Sequence, residues 1–161
     1  MIDETYNELA SEITIAFEPI PYPGDDPKVV GNWWELSNFL GKKWKEVSLE
    51  DVNTNWGPHH FTPKGLAYYL PAYLIAILLH PEQVDKLARE AVLKVLSPTK
   101  GEDGKIHKLP FSNELTSNQI KCIHRFVEAF GQIYPVWIKE WDYQEILQKG
   151  LEYWQHMDDS I

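Results

Sequence analysis

Cysteine is almost absent from this sequence, since Cys122 is the only one in 161 residues. A single thiol cannot form an intramolecular disulfide, so the chain is not a disulfide-stabilised secreted domain. Basic residues are also few, because 15 Lys and Arg stand against 24 Asp and Glu, for a formal charge of -9. A nucleic-acid-binding protein needs basic residues to neutralise phosphates. We therefore expect no nucleic-acid partner. The acidic start of the chain lacks the basic and apolar regions of a signal peptide, which predicts a cytoplasmic location.

Long hydrophobic runs are missing as well. Residues 66–79 contain no charged side chain, but the run has only 14 residues. As a helix it would be about 21 Å long, shorter than the roughly 30 Å of a bilayer's hydrocarbon core. Nor does the sequence contain a Gly-x-x-x-x-Gly-Lys or Gly-x-Gly-x-x-Gly pattern, the two common phosphate-binding motifs. We predict no membrane association, no nucleotide cofactor, and a buried core helix over residues 66–79.

The apolar residues that are present recur at helical spacing. The sequence length corresponds to one domain, spanning residues 1–161. Spacings of three and four predict helices over residues 3–17, 62–79, 84–95, 116–130 and 140–156, with a short helix after Ser48. We predict an all-α domain of about five or six helices packed around the 66–79 helix. Pro71 lies inside that helix and is expected to kink or split it.

Residues 29–47 are rich in aromatic side chains and fit short helices and short strands about equally. We predict an irregular segment with one helical turn over residues 34–40, and a small hairpin stays open as an alternative. Three capping patterns are clearer. They are Ser48 with Asp51, Thr62 before Pro63, and Thr116 with Gln119.

Three motifs in the first half of the chain are similar to those of a known family. They are Pro-Tyr-Pro-Gly-Asp-Asp at 21–26, Gly-Lys-Lys-Trp-Lys-Glu-Val at 41–47, and Phe-Thr-Pro-Lys-Gly-Leu-Ala-Tyr-Tyr-Leu-Pro-Ala-Tyr-Leu at 61–74. In this order they resemble a family of small bacterial proteins that is a domain of unknown function. The resemblance implies a single bacterial cytosolic domain and brings no activity, cofactor or catalytic residue.

One candidate chemical site combines two carboxylates with two imidazoles. Asp25 and Asp26 follow a glycine turn, and His59 and His60 lie in a later loop. A small metal-dependent hydrolase would need such groups around one ion. The spacing favours a simpler interpretation, in which the Asp pair caps a turn or helix and His60 packs beside Phe61. We therefore assign no metal and no catalytic residue.

A second candidate is a small-molecule pocket opened by the Pro71 kink and lined by Tyr68, Tyr69 and Tyr73. Elsewhere, Cys122 and His124 diverge by about 200° on a helix. Cys122 is therefore predicted to be a packing residue rather than a nucleophile.

Charge and aromatic residues support a third and preferred hypothesis, a non-enzymatic protein-binding module of accessory, inhibitor or immunity type. Residues 1–27 hold seven acids and no Lys or Arg. Like charges four residues apart on one helix face repel, and a basic protein partner would relieve that repulsion. Loop aromatics are frequent interface anchors, although packing between helices explains them more simply. The predicted partner-binding residues are Glu4, Glu8, Glu12, Tyr22, Asp25, Asp26, Trp33, Trp34 and Trp56.

Overall fold

The computed structural model describes residues 4–32, 36–54 and 57–161, and this part of the chain is all-α. It contains eight α-helices and no strand. Five of the helices have ten or more residues, and the other three are short. The helices are α1 (Glu4–Phe17), α2 (Pro27–Val30), α3 (Leu49–Thr54), α4 (Pro63–Leu79), α5 (Lys86–Val95), α6 (Ser117–Ile133), α7 (Pro135–Glu140) and α8 (Gln144–Asp159).

Helix α4 is the centre of the fold, as predicted. The Thr62 hydroxyl caps it by accepting a hydrogen bond from the Gly65 amide at 3.0 Å. Pro63 occupies the first turn, where its missing N–H costs nothing. The helix continues through Pro71 as one element, so the split that we considered does not occur. Side chains on every face of α4 are buried, because neighbouring segments surround it.

One buried cluster joins all eight helices. Each of them contributes at least one apolar side chain, from Leu9 of α1 to Trp154 of α8. Helix α1 packs against α4 and α6, and α6 packs against α8. The Trp154 indole donates a hydrogen bond to the Leu96 carbonyl at 2.8 Å, which joins α8 to the end of α5. No helix in the described part of the chain is long and apolar enough to cross a membrane.

The segment 29–47 is largely irregular where it is described. It holds the end of α2, a turn over residues 36–41 and a 3-10 turn at Trp44–Glu46. Residues 34 and 35 of the predicted turn lie outside the described residues. Gly31 forms an isolated antiparallel bridge with Phe61, so its β pairing is with a distant segment and not a local hairpin. Gly65 lets the start of α4 lie close to the end of α2, because a Cβ there would lie 2.1 Å from the Val30 carbonyl oxygen.

The C-terminal part differs from the prediction of one helix over residues 140–156. Helix α7 starts at Pro135 and ends at Glu140, and α8 starts only at Gln144. Between them Asp142 adopts a left-handed backbone conformation with φ of 58°. That conformation interrupts a helix, and the apolar spacing alone does not reveal it.

Candidate functional site

The outer face of α1 is the candidate site. The inner face buries Leu9, Ala10, Ile13 and Phe17. Ile15 lies about 200° around the helix from Ile13, and its side chain is 70% exposed. Glu4, Glu8 and Glu12 are also exposed. Ile15 is therefore an apolar side chain on an otherwise acidic face.

Three contacts hold α1 antiparallel to α6. The Tyr6 hydroxyl donates a hydrogen bond to Gln132 Oε1 at 3.3 Å. At the middle of the helix, Glu12 forms an ion pair with Arg125. Near its end, the buried Gln119 side chain donates from Nε2 to the Ala16 carbonyl at 3.0 Å. Because Gln119 also belongs to the N-terminal capping box of α6, this contact fixes Ile15 relative to the start of α6.

Two adjoining depressions meet beside Ile15, and together we call them the α1–α6 groove. The larger, about 640 Å³, extends along the proline-rich connector to Tyr68. The smaller, about 330 Å³, extends to Glu12 and Arg125. Ile15, Ala16 and Asn118 line both, so the two depressions form one continuous surface. Pro19 and Ile20 also line the larger depression, and Lys121 and Cys122 line the smaller one.

The α1 and α6 walls of the smaller depression carry opposite charge, while the charged residues lining the larger one, Lys64 and Glu114, lie on neither helix. Glu12 lies on the α1 wall, with Glu8 and Glu4 on the preceding turns, while Lys121 and Arg125 lie on the α6 wall. The Glu12–Arg125 ion pair crosses between the walls, and both of its side chains are about half exposed. Within the described residues, no ion pair involves Glu4 or Glu8. Their repulsion is therefore compensated mainly by solvent.

The Asp25–Asp26 pair has a structural role. Asp25 Oδ1 accepts hydrogen bonds from the Tyr22 hydroxyl at 2.5 Å and from the Gly41 amide at 2.9 Å. These two bonds lower the pKa of Asp25. Partial burial, followed by the hydrogen bond to Asp25, raises the pKa of Tyr22 to about 12. Asp26 caps α2 by accepting from the Lys28 amide at 3.0 Å. The pair therefore closes a turn and caps a helix.

The two histidines do not form a site with these carboxylates. His59 and His60 lie against each other, with ring centroids 4.1 Å apart. Nowhere in residues 4–32, 36–54 and 57–161 do three or more His, Cys, Asp or Glu side chains form a group that could hold a metal ion. The structure thus lends no support to the metal-dependent hydrolase.

One of the predicted aromatic anchors, Tyr22, contacts another part of the protein. Tyr22 is 36% exposed, and its ring packs edge-on against Tyr68 at 5.9 Å. Trp44, the one Trp of segment 29–47 among the described residues, is buried and packs in the core. The predicted anchors Trp33, Trp34 and Trp56 lie outside the described residues.

The tyrosines near Pro71 are packing residues. Tyr69 and Tyr73 are fully buried, and the Tyr69 hydroxyl donates to the Lys42 carbonyl at 2.8 Å. The Tyr68 hydroxyl accepts from the Trp44 amide at 3.2 Å, and Tyr68 borders the α1–α6 groove. Neither of the two 640 Å³ depressions touches Pro71. The prediction of a ligand pocket at this proline therefore gains no support.

A second depression of about 640 Å³ lies against α5 instead, and we call it the α5 pocket. One wall is the α5 face formed by Leu87, Ala91 and Val95, and the opposite wall runs through Phe61. Glu90 and Lys94 line the same α5 wall and form an ion pair at 2.5 Å. Sequence reasoning missed this pocket because its walls come from segments that are distant in the chain.

Ile15 was also missed, although a signal existed. It interrupts the polar side of α1, outside the apolar face formed by Tyr6, Leu9, Ile13 and Phe17. Cys122, in contrast, is buried at the floor of the groove as predicted for a packing residue, and burial raises its thiol pKa.

Most of the chain matches a known protein family. Residues 26–158 match the model of a family of unknown function, DUF6714. The chain belongs to this family. The match to DUF6714 extends well beyond the first-half motifs, and it begins after α1 and most of the proline-rich connector. No curated protein and no solved structure matches the chain. Because DUF6714 carries no assigned activity, a function has to be argued from the geometry of the molecule.

Proposed function

We propose that this protein is a cytosolic, non-enzymatic module that binds another protein through the α1–α6 groove. The observation that carries the proposal is the 70% exposure of Ile15 at the junction of the two depressions. Exposed aliphatic side chains occur singly on most proteins and need no explanation. This one adjoins a concave surface that Ala16, Pro19, Ile20 and Cys122 also line.

The surroundings of Ile15 support this proposal. Protein interfaces combine an apolar centre with a polar rim that is open to solvent. Here Ile15, Ala16, Pro19 and Ile20 supply the apolar part, and Glu12, Lys121 and Arg125 supply charged side chains along one end. Covering the Ile15 side chain completely would contribute about 2 kcal/mol. Substitution of Ile15 should therefore change the binding affinity measurably, which makes this position a suitable test of the proposal.

The residues predicted from the sequence take different positions in this proposal. Glu4 and Glu8 belong to the rim, where they would attract a basic partner. Glu12 already has Arg125 as a partner within the chain. Tyr22, Asp25 and Asp26 hold the connector through hydrogen bonds within the chain, and their contact with a partner stays a prediction. Trp33, Trp34 and Trp56 stay predictions.

The test is comparative capture by the immobilised protein from an extract of its own source cells. Wild type is compared with Ile15→Glu and with Ile106→Glu, which changes a side chain that is 51% exposed and lines neither depression of the groove. We expect a defined set of proteins to bind wild type and Ile106→Glu and to be lost with Ile15→Glu. Thermal melts must show that all three proteins are folded. Equal capture by all three would contradict the proposal.

A second candidate function is the binding of a small apolar molecule in the α5 pocket. Its volume of about 640 Å³ is the observation that favours it, because pockets for drug-sized ligands measure roughly 300–1,000 Å³. Ala91→Trp would fill the pocket from the α5 wall. If the pocket binds apolar molecules, the fluorescence of added anilinonaphthalene sulfonate should fall in that variant. Unchanged dye binding would remove this candidate.

A further inference from the structure

We propose that the partner presents to the α1–α6 groove an amphipathic helix with one basic and one acidic flank. This inference rests on the proposed function and specifies the chemistry of the partner at the same site. The apolar side of that helix would cover Ile15, its Lys or Arg residues would lie toward α1, and its Asp or Glu residues toward α6.

The shape of the groove favours a helix as the occupant. The walls of its smaller depression are the antiparallel helices α1 and α6. The residues lining the α6 wall are Asn118, Lys121, Cys122 and Arg125, which recur at spacings of three and four. A third helix can pack its own ridge of side chains into such a seam. An extended peptide that binds by β-strand addition needs an open sheet edge for its main-chain hydrogen bonds. The described residues contain no strand that could supply one.

Charge complementarity sets the chemistry of the two flanks. Glu4, Glu8 and Glu12 follow one another along the α1 side, so a basic flank there would be attracted. Lys121 and Arg125 on the α6 side attract an acidic flank and repel a basic one. The Glu12–Arg125 pair is about half exposed, and such pairs contribute little to stability, so a partner could exchange either member at low cost.

This two-sided pattern also predicts a direction of docking. Turning a helix end for end while keeping its apolar side down exchanges its left and right flanks. A helix with unlike flanks therefore fits opposite-charged walls in one direction only, whereas a helix with two basic flanks fits neither direction fully.

The probes are three stapled 18-residue helical peptides with the same Leu and Ala ridge. One has a Lys flank and a Glu flank, the second has two Lys flanks, and the third has two Glu flanks. We measure their dissociation constants at low salt. The mixed peptide should bind more tightly than the double-Lys peptide and about tenfold more tightly than the double-Glu peptide, the scale of a few exposed charge pairs. Ile15→Glu should abolish all binding.

The charge argument is tested with a matched pair of variants. Glu4→Lys combined with Glu8→Lys should invert the order of the double-Lys and double-Glu peptides. Glu82→Lys combined with Glu102→Lys alters two exposed acids elsewhere and changes the net charge equally. That control should keep the wild-type order.

Three results would overturn the inference: no binding of any peptide, equal binding of all three, or an equal change of order in the control variant. Such a result would leave the protein-binding proposal standing if capture still depended on Ile15. Loss of that dependence in the capture experiment would instead remove the proposed function itself.

Discussion

Helices α4 and α1 both contain apolar residues beyond a single face, but only in α4 does the rest of the protein cover them. Around α4 the neighbouring segments bury side chains in every direction, including Tyr69, Tyr73 and Leu74. Helix α1 packs one face against α4 and α6 and leaves Ile15 exposed on the other. Packing within the fold therefore explains the apolar residues of α4, but it does not explain Ile15.

The largest contrast should appear when one aliphatic side chain is shortened in each helix. Leu74→Ala removes a fully buried side chain of α4 and should lower the free energy of unfolding by about 2–5 kcal/mol. Ile15→Ala should change it by less than about 0.5 kcal/mol, since Ile15 makes few contacts within the protein. Urea denaturation measures both. A large loss of stability in Ile15→Ala would show that Ile15 serves the fold, and the comparison would fail.

The close contact between α4 and the Val30 backbone is tested by a substitution that adds one methyl group. In Gly65→Ala, the new Cβ would lie 2.1 Å from the Val30 carbonyl oxygen if nothing moved. Separating the two backbones should cost about 1–3 kcal/mol, the usual range for overpacking. Lys64→Ala, at the adjacent exposed position, is the control and should have little effect. Equal thermal stability of the two variants would argue against this close contact.

A smaller effect is expected from a buried hydroxyl of α4. Tyr69→Phe removes the hydrogen bond to the Lys42 carbonyl, which is 2.8 Å long. The expected loss in the free energy of unfolding is about 1–2 kcal/mol, because the carbonyl loses a partner away from water. On α1, Tyr6→Phe removes an exposed bond to Gln132 and should cost less than about 0.5 kcal/mol. If the two losses were equal, burial would not be what distinguishes these helices.

The smallest effect should come from the connector after α1. The pKa of Asp25 is lowered, so its stabilisation is present above the ordinary carboxyl pKa of 3.8 and is lost as pH falls through the lowered value. Asp25→Asn should therefore cost less than about 1 kcal/mol at pH 7. The gap to wild type should close in strong acid. Asp26→Asn keeps an N-cap residue and controls for the loss of one charge.

Local patterns predicted much of this fold and less of the candidate site. The two capping boxes and the Thr62 cap depend on neighbouring residues, and all three occur as predicted. The break between α7 and α8 was missed because it depends on the backbone conformation of Asp142. The α5 pocket depends on long-range packing, which no short sequence window contains.

The site itself was predicted in part. The acidic repeat on α1 identified one wall of the candidate groove, but the opposite charge of Lys121 and Arg125 depends on the packing of α6 beside it. Asp25 and Asp26 were predicted to cap a turn or a helix, and their hydrogen bonds confirm both roles.

The most direct test of the central claim is photo-crosslinking in the source cell. A benzoylphenylalanine residue replaces Ile15 in one strain and Ile106, also exposed, in another. After irradiation, the account predicts a discrete crosslinked protein from position 15 and none of the same mass from position 106. Absence of a discrete product at position 15, or the same product from both positions, would contradict it.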